Sequence, residues 1–95
     1  MKKLPYLHVP SPAQRQELIR AIYTEGWEWC YQDSNTALKQ CRNEDYQDFA
    51  LFHYQSMGYR FYFEDNGSKI TDNHILLNSI NQFIIYSKQF KPCAK

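Results

Sequence analysis

Apolar residues recur every three to four positions after Ser11. Leu18 lies one turn from Ile22, and Ile19 one turn from Tyr23, the spacing that puts side chains on one helix face. Ser11-Pro12-Ala13-Gln14 supplies the start. Ser11 can accept an orphan amide, Pro12 suits the first helical position, and Gln14 completes a capping box. Gly26 supplies a left-handed exit. The pattern predicts a helix over about residues 12–25. Ahead of it, Leu4 to Val9 read as a short strand, which Pro5 and Pro10 would confine to a sheet edge. Beyond Gly26 the period changes to two: Trp27, Trp29 and Tyr31 alternate with Glu28, Cys30 and Gln32. That predicts a strand from Trp27 to Gln32, whose aromatic face forms a core wall for the helices.

Residues 34–57 fit two periods. Ser34, Asn35 or Thr36 can cap a helix running through Leu38 and Cys41. From Tyr46 the series Tyr46, Phe49, Ala50, His53, Met57 follows a helical stripe. Glu44 and Asp45 suit the positive end of that helix and Gly58 its exit. Helix is the favoured reading, broken near Asn43. The alternative makes Phe49 to Tyr54 a strand paired with Tyr59 to Glu64. Tyr59 to Glu64 itself alternates as a strand. Asp65-Asn66-Gly67-Ser68 signals a hairpin, returning through Ser68 to Thr71. Thr71 or Asp72 would then cap a final helix with Leu76, Ile80, Phe83 and Ile84 as its apolar stripe and Lys88 and Lys91 near its end. Residues 92–95 read as a frayed tail. The expected fold class is α+β: a small antiparallel sheet of about three to five strands with helices packed on one face.

Composition changes this picture little. Ninety-five residues suit one compact domain, and an aromatic share of 17% gives a short chain large rings for its core. Mean hydropathy is −0.70, and the longest apolar runs, such as Ile84-Ile85-Tyr86, are too short to cross a membrane. The start, MKKLPYLHVPSP, has two lysines but no unbroken apolar stretch and no small-residue cleavage site. Together with three unpatterned cysteines, Cys30, Cys41 and Cys93, this points to an unexported, cytoplasmic protein. Net charge is only +1, but it is polarised. Residues 1–24 hold four bases against one acid, residues 25–72 nine acids against four bases, and residues 73–95 three lysines and no acid.

No chemical motif stands out. Cys41 and His53 would lie more than three turns apart on one helix, too far to pair as nucleophile and base. His8, His53 and His74 lack metal-ligand spacing. Asp65 to Asp72 lacks the ligand spacing and final Glu of a calcium loop, and Asn66-Gly67-Ser68 is a glycosylation sequon that matters only on export. Each of the three glycines has a turn or cap to explain it, and no phosphate loop is present. No cofactor or metal is expected.

The expected function is therefore binding without catalysis. A stoichiometric inhibitor, such as an immunity protein that neutralises a bacterial toxin, needs a rigid scaffold and a complementary patch rather than a reactive group. Its partner would be a basic toxin or nuclease domain, met by the segment Gln32 to Asp48. Asp33, Glu44, Asp45 and Asp48 would supply charge, with Tyr31 and Tyr46 as aromatic anchors; the alternative for Tyr46 is that it packs inward. On this reading, changing Asp45 and Asp48 to lysine leaves folding intact and slows association. The chain would be a monomer or weak dimer. A winged-helix nucleic-acid module is a second expectation, weakened because the middle helix and hairpin are not basic. A small enzyme with a site assembled by folding is a third.

Overall fold

The structure is a computed structural model describing residues 2–26, 33–54, 58–65 and 71–90. The first helix, α1 (Pro12–Thr24), starts as its sequence dictates: Ser11 accepts the Gln14 amide and Pro12 opens the helix. Gly26 leaves it at φ 91°, the left-handed conformation a side chain would resist. A short helix, α2 (Ser34–Gln40), follows. Its cap is Asp33, not Ser34, Asn35 or Thr36; the Asp33 carboxylate accepts from the Thr36 amide at 3.0 Å and the Thr36 hydroxyl at 2.9 Å.

Four strands form one mixed sheet among the described residues: β1 (Leu4–His8), β2 (Tyr46–Tyr54), β3 (Gly58–Asp65) and β4 (His74–Leu76), in the order β3-β2-β1-β4. Pairing is antiparallel from β3 to β1, and β4 joins β1 in parallel. The α+β class with helices on a small sheet holds, and a parallel edge is added to it.

Three expectations are corrected. Residues 46–54 are a strand, not a helix. The helical spacing arises because β2 is buried on both faces, with Phe49 and Leu51 on one and Asp48 and Ala50 on the other, so its run of Phe49-Ala50-Leu51-Phe52 satisfies either period. The alternative pairing with Tyr59 to Glu64 is the one formed, with Phe49 opposite Phe63 and Leu51 opposite Phe61. Second, β1 is an interior strand despite Pro5. Third, the final helix α3 (Ile80–Ser87) begins nine residues past Thr71. Ser79 is its cap, accepting the Gln82 amide at 3.1 Å. Thr71 instead closes a turn, its hydroxyl accepting from the Asn73 amide, and the chain then enters β4. The strand predicted at Trp27 to Gln32, the hairpin turn beyond Asp65 with its return up to Thr71, and the tail at residues 92–95 lie outside the described residues.

One sheet face carries Leu7, Val9, Phe49, Leu51 and Phe61, all buried against Leu18, Ile19 and Ile22 of α1, Ala37 of α2 and Phe83 of α3. Phe61 stacks on Phe49 at 5.6 Å and meets Phe83 edge-on at 6.1 Å, geometries that add to area burial. The opposite face presents Tyr6 and His8 of β1 beside Ala50 and Asp48 of β2.

Pro5 is accommodated by a substitution of donors. The β1–β2 register places Pro5 opposite Leu51, where an antiparallel ladder needs an N–H that proline lacks. The Leu51 carbonyl instead receives the Nε2–H of His74, 3.1 Å away, from β4 on the far side of β1. The other ring nitrogen, Nδ1, accepts the Thr71 amide at 3.3 Å. His74 is therefore held as the neutral Nε2–H tautomer, and burial pushes its pKa below the ordinary histidine value.

Candidate functional site

The features that could meet a partner gather at one end of the sheet, where β1 turns into α1 and the loop after α2 enters β2. Arg15 organises this corner. It is completely buried. Its Nε–H donates to the Cys41 carbonyl at 2.8 Å, Nη1 to the Val9 and Pro10 carbonyls at 2.9 and 3.0 Å, and Nη2 to Glu44 Oε1 at 3.1 Å. A buried guanidinium is tolerable only when its donors are met. Here three backbone carbonyls from two separate segments meet it, so one side chain locks the β1–α1 corner to the α2–β2 loop.

Glu44 is the exposed end of that lock, its side chain 62% exposed. Its second oxygen accepts from the Gln47 side-chain Nε2–H at 3.2 Å, and the same group also donates to the Glu44 carbonyl. Asn43 Oδ1 accepts the Asp45 amide at 3.0 Å, a local turn that leaves the exposed Asp45 at the loop tip. Glu44 and Asp45 are thus two solvent-facing carboxylates, the first fixed by Arg15 and Gln47 and the second carried on a backbone pinned by Asn43.

Asp48 departs from its expected role as a surface charge. It is buried, and its Oδ1 lies 2.6 Å from Nδ1 of His8, whose side chain is 50% exposed. A carboxylate accepts, so neutral His8 carries its proton on Nδ1 and offers Nε2 outward. Lysine at position 48 would face the fold rather than a partner, so the expectation that Asp45 and Asp48 can be reversed without harm is corrected to Asp45 alone. Tyr46 packs against the core. A bulge between Tyr46 and Asp48 separates them: Gln47 is the extra residue, so two positions that would share a strand face point to opposite sides. Asp33 stands at the other end of α2, roughly 10 Å away by the helix rise. It is occupied with capping, and the Thr36 amide and hydroxyl hold its pKa below the ordinary value. Tyr31 lies outside the described residues. Of the six predicted residues, then, the corner unites Glu44, Asp45, Tyr46 and Asp48.

Sequence reading missed Arg15, His8 and the groove beside them. The groove, about 310 Å³, is lined by Leu7, His8 and Val9 of β1, Gln14 and Glu17 of α1, and Asn78, Ser79, Ile80 and Asn81 leading into α3. One signal was available: Arg15 sits between Gln14 and Leu18 on a helix whose buried positions recur at three to four residues, so its guanidinium had to find acceptors inside. Nothing local linked His8 to Asp48, which are 40 residues apart.

Reactive chemistry finds little purchase elsewhere. Burial pushes the Cys41 thiol up to about 11, against a downward pull from Arg15 and Arg20, so it is not a thiolate at neutral pH. Among the described residues no three His, Cys, Asp or Glu side chains are placed to share a metal ion, and no helix is long and apolar enough to cross a membrane. Comparison with family models, with curated proteins and with solved structures gave no match.

Proposed function

We propose that the chain is a non-catalytic cytoplasmic binding protein, a stoichiometric inhibitor such as an immunity protein, which covers the active site of a basic toxin or nuclease domain. The observation that carries this reading is the clamp at Glu44. A fully buried arginine with four hydrogen bonds holds the base of a loop whose two carboxylates face water. A charged contact that is already ordered loses little entropy on docking, and acidic groups speed the approach of a basic partner. The test is affinity capture with the tagged chain at low and high salt. A basic protein recovered one to one at low salt, released at high salt, and inactivated by an equimolar amount of the chain is the expected result. Recovery of nucleic acid in its place would count against the reading. The middle helix on which a winged-helix module depends is strand β2.

A second reading, a small enzyme, draws on the His8–Asp48 pair, since a buried carboxylate that fixes one imidazole tautomer is the supporting half of many general-base sites. Among the described residues no hydroxyl or thiol is hydrogen-bonded to that ring, which leaves binding the better reading. Substrate turnover lost on Asp48→Asn would reverse that order.

A further inference from the structure

We propose that the groove beside β1 receives an extended segment of a basic protein partner, which adds to the sheet edge where β4 stops and seats a lysine or arginine against Glu17. The partner's identity rests on the inhibitor reading above; the groove's chemistry stands on its own geometry.

The backbone argument comes from register. Val9 donates its N–H to the Gln47 carbonyl of β2, whereas the Tyr6 carbonyl accepts the Leu77 N–H on the β4 side. Alternation along β1 therefore turns the N–H and C=O of His8 toward the β4 side as well. The pairing with β4 ends at Tyr6 opposite Leu76. The backbone N–H and C=O of His8 thus face the groove, not a strand. A strand edge of this kind is a template for an added chain, with main-chain hydrogen bonds giving affinity and side-chain pockets giving selection.

Charge selects the side chain. Glu17 is exposed and has no ion pair among the described residues. The start of α3 is partly satisfied by its own caps, since Gln82 Oε1 takes the Asn78 amide at 2.9 Å and Ser79 takes the Gln82 amide. Glu17 is the carboxylate lining the groove, and the side-chain carbonyls of Gln14, Asn78 and Asn81 are further acceptors there, which suits an ammonium or guanidinium group.

The test uses the full chain, labelled with ¹⁵N and titrated at low salt with millimolar acetyl-Thr-Val-Lys-Val-Thr-amide, and separately with the same peptide carrying Glu at its centre. The lysine peptide should shift the amides of His8 and Asn78 to Asn81 and saturate, with the glutamate peptide about tenfold weaker. Glu17→Lys, at an exposed helix position, should invert that preference. Three results would each overturn the proposal: no change at those amides, equal response to both peptides, or the same shifts from oligothymidylate. Glu44→Gln with Asp45→Asn should weaken capture of the basic partner and leave the peptide titration unchanged. A basic partner captured equally by wild type and Glu17→Lys would sink the groove proposal and spare the inhibitor reading. Peptide binding as expected, with no basic partner found, would do the reverse.

Discussion

Arg15 has no accessible surface, yet Glu44, its one ion-pair partner among the described residues, is mostly in water. Its charge is therefore stabilised chiefly by the carbonyls of Val9, Pro10 and Cys41. Arg15→Met keeps the volume but strands those acceptors, and should lower stability by about 3–5 kcal/mol, a large part of what a small domain has. Glu44→Gln should cost under about 1 kcal/mol, because an exposed partner contributes little. Urea denaturation of the two variants checks the ranking; equal losses would mean that the ion pair, not the carbonyl cage, holds the corner. His74 makes a prediction in pH. Its folded pKa is lowered by burial, so near and below the ordinary histidine value the unfolded chain binds more protons than the folded one. Stability is therefore full above about pH 6.5 and falls as pH drops below it. A pH series of melting temperatures on wild type and His74→Gln should show this slope in the wild type and a shallower one in the variant.

At the scale of elements, the pairing of Pro5 with His74 makes a coupled prediction. His74→Ala should cost about 1–3 kcal/mol by leaving the Leu51 carbonyl unmet. Pro5→Val restores an N–H opposite that carbonyl. In the Pro5→Val background the same His74→Ala change should cost at least about 0.5 kcal/mol less, and a double-mutant cycle reads the difference. Additive effects would show that the ring supports the turn at Thr71 rather than the ladder. The same elements show what the sequence can disclose. The helix at 12–24 was legible because cap, first-position proline, apolar spacing and exit glycine all agree. Strand β3 was legible from its alternation. Strand β2 was not, because burial on both faces erases the period of two on which a strand is recognised. Strand β1 was placed at an edge because proline's missing donor is visible locally, whereas its replacement by a histidine 69 positions later is not. Half of the corner was legible for a similar reason. Acidic residues near a loop announce themselves, but whether each faces water (Glu44, Asp45) or the fold (Asp48) depends on a one-residue bulge and a distant histidine.

The whole molecule is small enough for its charge polarity to matter. Its extents are 32 × 28 × 22 Å, only about three screening lengths at physiological salt. A partner approaching the acidic corner therefore feels that corner more than the basic segments at residues 1–24 and 73–95, even though the total charge is +1. On the inhibitor reading this sets the rate of encounter rather than the tightness of the final fit. Glu44→Gln with Asp45→Asn leaves the backbone of the loop as it is, since Asp45 is held through its amide and not its carboxylate. The double variant should associate several-fold more slowly with the basic partner at low ionic strength, dissociate at nearly the wild-type rate, and converge with wild type as salt rises to about 0.5 M. Stopped-flow association across a salt series separates these quantities. If the association rates already coincide at low salt, the corner does no steering; if dissociation accelerates instead, Glu44 and Asp45 lie inside the contact and serve affinity.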